Sequence, residues 1–332
     1  MVKVAINGFG RIGKQFFLAA IAQKVNWEFV INEPGNLDFV CYSLKYDSVH
    51  PLHNIKIHND KNYLFFGNRK IKFYNVPDAS KLPWNKEKID LVVDCSGRFT
   101  KAEDANLHIK AGAKKVLISA PAKGHDLTII PGVNENALKK EHKIISAGSC
   151  TTNCVSPMVK IINDLFHIKN AHFITTHAYT ATQKLIDGHD PKDLRRGRAA
   201  AINIVPSTSG ASQSVIESIP EIRGKLKGYA LRVPVANGSI TSLIAEVEKR
   251  TSIDEINSSF KKKALGDLKG ILVYNEDPIV SSDIIGNQAS CIFDSTMTDV
   301  QGDLISIAGW YDNEIGYSNR LVNVAKLILS KK

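Results

Sequence analysis

A cysteine in the segment SAGSCTTNC, residues 146–154, is the residue of this sequence best placed to act as a nucleophile. Cys150 lies among small hydroxyl residues and directly before a stretch with helical periodicity. The free backbone amides at the start of a helix favour a thiolate and can also stabilise a developing oxyanion. Burial in the core is the other role open to a free cysteine, because cysteine is among the most buried residue types.

A histidine in the β-rich segment AHFITTHAYTATQ is the candidate base for that thiol. Several hydroxyl residues surround His177 there, which distinguishes it from the other histidines. An imidazole beside a thiol can form a thiolate–imidazolium pair and later move protons. Cys150 and His177 together therefore predict nucleophilic catalysis.

Arginine and hydroxyl side chains follow along the chain and suit phosphate oxygens. Arg232 lies in the otherwise apolar strand-like segment YALRVPV, where an arginine needs an anionic partner or a path to solvent. For this residue we favour a ligand phosphate. For Arg195 and Arg196 a surface or subunit contact explains the sequence equally well.

The elements that must position these residues begin with a glycine-rich turn. The opening segment VKVAINGFGRIGKQFF joins a β-rich run to a helical stretch through Gly8, Gly10 and Gly13. In this pattern the first glycine permits a tight turn, the second lets the backbone approach a pyrophosphate, and the third allows close helix–strand packing. A second strand, WEFVIN, precedes Glu33, whose carboxylate can bind ribose hydroxyls and repel a 2′-phosphate. The pattern predicts a dinucleotide site that prefers NAD to NADP.

Three further strand-like runs, residues 89–97, 114–122 and 142–148, each end in small residues. Such endings are typical of strands whose carboxyl ends open onto a ligand crevice. Gly97 and Ser119 are therefore candidates to line the cofactor site, although simple turn chemistry explains each of them equally well. The alternation of strands and helices predicts an α/β fold with a largely parallel sheet.

Composition narrows the class of protein. The chain has 332 residues, enough for two domains, and no apolar run near the length of about 18 that a membrane span requires. Its five cysteines show no regular spacing, which indicates neither a disulfide framework nor a metal site, and we expect a cytoplasmic protein without a cleavable signal. The net charge of +10 comes from dispersed lysines, so we expect anionic small substrates rather than nucleic acid as the main partner.

Taken together, these segments resemble the phosphorylating glyceraldehyde-3-phosphate dehydrogenases along essentially the whole chain. The segments that carry the resemblance are INGFGRIG, KKVLISAP, SCTTNC, HAYTATQ, DLRRGRAAAINIVPS, LRVP and WYDNEIGYSNR. The resemblance implies an N-terminal Rossmann domain, residues 1–148, and an α+β catalytic domain with a mixed sheet, residues 149–313. It also implies a C-terminal helix, residues 314–332, that returns to the first domain, and a homotetramer.

The resemblance further implies a role for each matching position. Cys150 would form a hemithioacetal with glyceraldehyde 3-phosphate, His177 would be its base, and NAD+ would take the hydride to leave a thioester that phosphate cleaves to 1,3-bisphosphoglycerate. The positions for the substrate's C3 phosphate are Thr180, Thr182 and Arg232. The positions for the attacking phosphate are Ser149, Thr151, Ser209 and Gly210. The cofactor positions, besides the glycines, are Arg11, Ile12, Glu33, Ser119 and Asn313, with Tyr317 near the nicotinamide.

Two alternatives remain open on the sequence. Erythrose-4-phosphate dehydrogenase belongs to the same superfamily, often has a glutamate after its second strand and releases its acyl group to water. Hydroxyls at Thr151, Thr208 and Ser209 favour phosphate as the acceptor instead. A scaffold that binds RNA through its cofactor cleft is the alternative of another class, as an additional role. Glu33 stands where the family usually has aspartate, and its extra methylene loosens the expected preference for NAD.

Overall fold

The computed structural model describes residues 1–191 and 193–331 and divides them into two compact units. Unit 1 comprises Met1–Ile129, Asn136–Gly148 and the residues from Leu321 onwards. Unit 2 comprises Ile130–Glu135 and Ser149–Arg320. Among the described residues, no helix is both long enough and apolar enough to cross a membrane.

Unit 1 is built on a nine-stranded sheet. Its strands are β1 (Val2–Asn7), β2 (Trp27–Asn32), β3 (Ile57–Asn59), β4 (Tyr63–Phe66), β5 (Arg69–Tyr74), β6 (Leu91–Asp94), β7 (Lys115–Ile118), β8 (Leu127–Thr128) and β9 (Ile144–Ser146). The parallel strands lie in the order β5-β2-β1-β6-β7-β9-β8, and β3 and β4 extend the other edge as an antiparallel pair. The strand order reverses at β1, as in a Rossmann fold, and this confirms the predicted fold class.

Helices complete unit 1. They are α1 (Arg11–Ala22), α2 (Leu37–Lys45), α3 (Trp84–Glu87) and α4 (Ala102–Lys110). Along α1, Phe16, Phe17 and Ala20 are buried, whereas Ile12 and Ile21 are half-buried. The central strands β1 and β6 are buried over most of their length, as a parallel sheet covered on both faces requires.

Unit 2 is built on a seven-stranded mixed sheet, which confirms the second part of the predicted fold. Its strands are β10 (Ile168–Ala178), β11 (Val205–Thr208), β12 (Leu226–Val233), β13 (Ser239–Val247), β14 (Leu272–Asn275), β15 (Cys291–Gln301) and β16 (Leu304–Tyr311). Their order is β11-β12-β10-β13-β16-β15-β14. The pairs β10–β12 and β14–β15 are parallel and the other pairs are antiparallel.

Helices α5 (Cys150–Phe166), α6 (Ala211–Ser218), α7 (Ile253–Leu265) and α8 (Ile315–Ser330) follow in chain order. The apolar face of α5 packs into the core of unit 2, with Met158 and Ile162 buried in one cluster with Phe173 of β10 and Leu243 of β13. This packing anchors α5 to the sheet, so its first residue has a defined position.

Candidate active site

The structure brings Cys150 and His177 into contact. The Cys150 Sγ lies 3.3 Å from the His177 Nε2. Cys150 is the first residue of α5, and His177 is the penultimate residue of β10. The distance is within hydrogen-bonding range for sulfur, so a proton can pass directly between the two side chains.

Local sequence explains why α5 begins at the cysteine. The Thr152 amide donates to the Ser149 Oγ at 3.1 Å, and the Ser149 amide donates to the Thr152 Oγ1 at 3.1 Å. This reciprocal pair is a capping box, which satisfies two backbone donors that a helix start otherwise leaves without partners. Gly148, at φ +63°, makes the left-handed turn into the box.

The electrostatic prediction for the thiol was wrong in direction. Burial raises the pKa of the Cys150 thiol, and this outweighs the opposing influence of Arg232 and of the Thr151 and Cys150 amides. The thiol is therefore protonated at neutral pH and needs a base.

His177 is suited to that task because it is neutral. Burial and, to a lesser extent, the nearby Arg232 guanidinium lower its pKa to about 3. The His177 Nδ1 lies 2.7 Å from the Ala178 carbonyl oxygen and 2.5 Å from the Arg232 Nη1. A proton on Nδ1 donates to that carbonyl and leaves the Nε2 lone pair facing the thiol, whereas a proton on Nε2 lets Nδ1 accept from the Arg232 Nη1. The first tautomer is the one that can take a proton from Cys150.

Arg232 occupies the position next to His177 in the sheet. The two residues are register partners on β12 and β10, and the Arg232 Nη1 also donates to the Ala178 carbonyl at 3.1 Å. Burial lowers the pKa of this guanidinium, and the positive charge of Arg196 lowers it further. Two arginine charges near each other in a partly buried place favour an anion between or beside them.

The predicted phosphate residues of the following loop form one hydrogen-bonded chain with Arg196. The Thr180 Oγ1 lies 3.1 Å from the Thr182 Oγ1, which accepts a hydrogen bond from the Arg196 Nη2 at 2.7 Å. On the sequence, a surface or subunit contact explained Arg196 as well as phosphate binding did. The structure thus adds one cation to the predicted set.

Tyr311, at the end of β16, is a residue that sequence analysis missed. Its hydroxyl lies 2.6 Å from the Thr175 Oγ1 and 3.0 Å from the Thr151 Oγ1. Its ring centroid lies 5.9 Å from that of His177. Tyr311 therefore packs beside the base and fixes Thr151, the residue that follows the nucleophile.

The other residues predicted for the attacking phosphate have local partners. The Ser149 hydroxyl belongs to the capping box, and the Ser209 Oγ accepts a hydrogen bond from the Ala211 amide at 3.2 Å. Gly210 is the residue that precedes α6. Their role in binding phosphate stays a prediction.

Unit 1 contains a cavity of about 300 Å³ at the carboxyl ends of its strands. Gly8, Gly10 and Glu33 line it, at the point where the strand order reverses. A Cβ on Gly8 would lie 2.6 Å from the Ser96 Cα, and one on Gly13 would lie 2.0 Å from the Gly8 carbonyl oxygen. A Cβ on Gly10 would meet no atom within 4 Å, so this backbone stays open to a ligand. The three glycines fit a dinucleotide pyrophosphate.

Polar side chains around that cavity are held in place. The Glu33 Oε2 accepts a hydrogen bond from the Phe9 amide at 2.6 Å, which ties the acid to the glycine-rich turn. Arg11 and Lys14 at the start of α1 both pair with the buried Asp47. Asp47 was not selected from the sequence.

The remaining predicted cofactor residues are distributed over both units. In unit 1, Gly97 adopts a left-handed conformation at φ +69°, and the Ser119 amide donates to the Asp94 carbonyl. In unit 2, the Asn313 Oδ1 accepts from the Ser239 hydroxyl at 3.0 Å, and Tyr317 is buried. Their contribution to cofactor binding stays a prediction.

Comparison with known proteins gives the family. The family model described as the NAD binding domain of glyceraldehyde 3-phosphate dehydrogenase matches residues 2–102, and the model of its C-terminal domain matches residues 149–313. The chain belongs to the glyceraldehyde-3-phosphate dehydrogenase family. Named relatives agree over full length. The chain is 48% identical over 332 residues to a glyceraldehyde-3-phosphate dehydrogenase of Thermotoga maritima, covering 99% of each chain.

Two further relatives carry the same name. One from Streptomyces coelicolor is 46% identical over 331 residues, covering 98% of each chain. One from Geobacillus stearothermophilus is 44% identical over 332 residues, covering 99% of each chain. The NAD-binding domain of the family contains the glycine-rich turn and Glu33, and its C-terminal domain contains Cys150, His177 and Arg232. The cofactor of the family domain is therefore the one that the glycine spacing predicts.

Proposed function

We propose that this chain is a phosphorylating glyceraldehyde-3-phosphate dehydrogenase, which converts D-glyceraldehyde 3-phosphate, phosphate and NAD+ to 1,3-bisphosphoglycerate and NADH. The Cys150 Sγ at 3.3 Å from the His177 Nε2, in a chain that matches both family domains, carries the proposal. Neutral imidazole and protonated thiol are the states that the start of the reaction requires.

Substrate binding is assigned to the cationic side of the site. The C3 phosphate accepts hydrogen bonds from Arg232 and from the hydroxyls of Thr180 and Thr182. Arg196, which donates to Thr182, adds positive charge there. Arginine guanidinium groups bind phosphate oxygens through short, charge-assisted hydrogen bonds.

The first chemical step is addition of the thiol to the aldehyde. His177 takes the proton of Cys150 at Nε2, and the sulfur forms a bond to the aldehyde carbon. The resulting oxyanion takes that proton from His177, which gives a hemithioacetal and returns the imidazole to its neutral form. The Cys150 and Thr151 amides, which lie within reach of the sulfur, stabilise negative charge at this helix start.

The second step oxidises the hemithioacetal to a thioester. His177 takes the hydroxyl proton of the hemithioacetal while a hydride leaves the same carbon. NAD+, when bound, supplies the chemistry of hydride acceptance. A thioester keeps the acyl group activated, and a serine in place of Cys150 would give a far less reactive ester.

The third step transfers the acyl group to inorganic phosphate. A phosphate oxygen attacks the thioester carbon, the carbon–sulfur bond breaks, and Cys150 regains a proton from His177. Ser149, Thr151, Ser209 and Gly210 are proposed to bind the attacking phosphate. Their hydroxyl and amide groups can donate to its oxygens.

The proposed NAD site is centred on the glycine-rich turn and Glu33 of unit 1. The residues assigned to it are Gly8, Gly10, Arg11, Ile12, Gly13, Glu33, Gly97, Ser119, Asn313 and Tyr317. In domain terms, residues 1–148 hold the cofactor, residues 149–313 hold the substrate, and residues 314–332 form the C-terminal helix.

A cytoplasmic homotetramer is proposed as the working state. Apolar side chains of the segment that follows β10 are strongly exposed: Leu185 at 78%, Ile186 at 76%, Leu194 at 83% and Ile202 at 80%. Large apolar side chains exposed along one segment support an interface with a further copy. Light scattering on the eluted protein measures the oligomeric state directly.

The test of the reaction follows NADH absorbance with glyceraldehyde 3-phosphate and NAD+, with phosphate present or omitted. We expect activity that depends on phosphate and is abolished by Cys150→Ser. Cys41→Ser is the control, because Cys41 is buried in unit 1 and takes no part in the proposed reaction. Activity without phosphate would move the assignment to an enzyme of the erythrose-4-phosphate type, and activity in Cys150→Ser would contradict the proposed nucleophile.

A further inference from the structure

A chain of buried hydrogen bonds joins the last residues of three adjacent strands in unit 1. The Asn32 Nδ2, at the end of β2, donates to the Asn7 Oδ1 at the end of β1, at 2.7 Å. The Asn7 Nδ2 donates to the Asp94 Oδ2 at the end of β6, at 2.6 Å. All three side chains are buried, and Asn7 and Asn32 line the 300 Å³ cavity.

His108, on α4, completes this chain of hydrogen bonds. The Trp84 indole N–H donates to the His108 Nδ1 at 3.0 Å. Because an indole nitrogen can only donate, Nδ1 must accept, and the proton of the neutral ring is on Nε2. This Nε2–H faces the Asp94 Oδ2 at 3.2 Å, so Trp84 sets the tautomer that holds the carboxylate.

The Asp94 carboxylate connects this chain to the backbone that surrounds the ligand cavity. Its Oδ1 accepts from the Ser96 amide at 3.2 Å and from the Ser96 hydroxyl at 2.8 Å. Ser96 lines the cavity and is the residue against which Gly8 packs so closely that no Cβ fits. The orientation of one carboxylate thus fixes both the Asn7 amide and the turn beneath the glycine-rich segment.

The direction of the Asn7 amide depends on the carboxylate. Rotating this amide by half a turn would place the Asn7 oxygen against Asp94 and two amide nitrogens of Asn7 and Asn32 against each other. Both contacts would leave buried polar groups without partners, which is costly. The Asn7 Nδ2 also lies 3.4 Å from the His108 Nε2. With both nitrogens donating to the Asp94 Oδ2, the Asn7 oxygen stays available to accept from Asn32.

We propose that His108 is a positioning residue for dinucleotide binding: its Nε2–H holds Asp94, and through Asp94 it holds Asn7 and the Ser96 turn in the conformation that receives NAD. His108 is fully buried and acts only through these neighbours. The proposal rests on the proposed function, because it takes the unit 1 cavity as the dinucleotide site.

The test compares His108→Leu with His108→Gln. Leucine has no donor, whereas the glutamine Nε2 can still donate to Asp94. We measure the NAD+ dissociation constant by calorimetry, KM for NAD+, kcat at saturating NAD+, and Tm. We expect His108→Leu to weaken NAD+ binding on the order of tenfold, as for a lost hydrogen bond to a buried charge, with kcat unchanged. His108→Gln is expected to recover most of the affinity.

Two further variants keep the test decisive. Trp84→Phe retains His108 but removes the donor that sets its tautomer, so we expect a smaller loss of NAD+ affinity of a few fold. His53→Leu alters an exposed histidine of the same unit and is expected to change nothing. If His108→Leu does not fold, Trp84→Phe carries the test, and unchanged affinity in that variant overturns the proposal.

Failure of this proposal differs from failure of the proposed function. A wild-type protein that binds no NAD+ would overturn the function itself. A wild-type protein that binds NAD+, with His108→Leu lowering only Tm, would show a structural role alone. Equal loss of NAD+ affinity in His108→Gln and His108→Leu would also overturn the proposal. Glutamine can still donate to Asp94, so the loss could not then come from this hydrogen bond.

Discussion

The starts of α1 and α5 differ in what binds the first backbone amides of the helix, which have no partner within the helix itself. Helix α1 begins after Gly10, and no side chain caps its first amides. Helix α5 begins after Ser149, whose hydroxyl and backbone form a capping box with Thr152. A helix start left without a cap keeps its donors for a ligand, whereas a capped start uses them to fix its own first residue.

The two helix starts also differ in their charges: α1 begins among positive side chains, and α5 begins with a buried, neutral thiol. Arg11 and Lys14 place two positive charges in the first turns of α1, where the helix dipole is also positive. Asp47 compensates them, and although burial would raise the pKa of Asp47, hydrogen bonds from Lys14, from nearby backbone amides and from Arg11 hold it well below its usual range. At α5 burial dominates and raises the pKa of the Cys150 thiol. The first helix start is suited to an anion, and the second is suited to a neutral nucleophile beside a base.

Among the variants that test this comparison, removal of the base His177 should have the largest effect, and that effect is on kcat. In His177→Asn, the thiol has no proton acceptor, so we expect kcat to fall by about 10²–10⁴-fold. NAD+ affinity, measured by calorimetry, should stay at the wild-type value because the glycine-rich start of α1 is untouched. A thiol that reacts equally fast in both proteins would show that Cys150 is ionised without His177, against the direction of its pKa.

Asp47→Asn should have the next largest effect, on stability. The variant leaves Lys14, whose side chain is 6% exposed, as a buried charge without its partner, so we expect a loss on the order of 3 kcal/mol in urea unfolding at pH 7. The folded pKa of Asp47 is lowered, so its stabilisation is present above the ordinary aspartate pKa. It is lost as the pH falls, and the difference between wild type and variant should therefore shrink in acid.

Asp164→Asn is the matched control for that ion pair. Asp164 pairs with Lys160 on the exposed side of α5, with side chains 48% and 35% exposed. Exposed pairs of this kind contribute about 0–1 kcal/mol. Equal losses in the two variants would mean that burial of the pair at α1 does not matter.

The sequence predicted those parts of the site whose residues lie close together in the chain, and it missed those that depend on contacts between distant residues. The glycine spacing and Glu33 predicted the ligand side of α1, because strand, turn and helix follow one another within one short segment. Tyr311 was missed, since the contact that gives it meaning joins it to Thr175, 136 residues away. The pKa direction of Cys150 was wrong because sequence shows a helix start but not its burial.

The antiparallel extension β3–β4 was missed for a similar reason. Its strands are short, and β3 spans only three residues, so its alternation between buried and exposed positions gives little signal. Asp47 was missed, and Arg196 was left undecided, because Asp and Arg at ordinary surface positions look the same in sequence. In the structure each is identified by a partner, Lys14 for Asp47 and Thr182 for Arg196.

Loss of the cap should have a smaller effect that again separates the two helix starts. Ser149→Ala removes the acceptor for the Thr152 amide, so we expect about 1 kcal/mol less stability and a lower kcat, since Cys150 is the next residue. Ser252→Ala is the control, because Ser252 caps α7 in the same way by accepting from the Glu255 amide at 3.2 Å. This control should lose similar stability and keep kcat. A kcat loss of the same size in both variants would assign the effect to general destabilisation.

Gly10→Ala should have the smallest effect on stability and the clearest effect on ligand binding. Gly10 has φ −74°, which alanine tolerates, and its added Cβ would meet no protein atom within 4 Å. Because alanine also restricts the unfolded chain, we expect unchanged or slightly higher stability, by at most about 1 kcal/mol. The same methyl group would project into the open approach to the α1 amides. NAD+ binding measured by calorimetry should therefore weaken several-fold without any loss in Tm. If affinity stays at the wild-type value, the pyrophosphate does not approach the open side of Gly10. The start of α1 would then no longer differ from the start of α5 by binding a ligand.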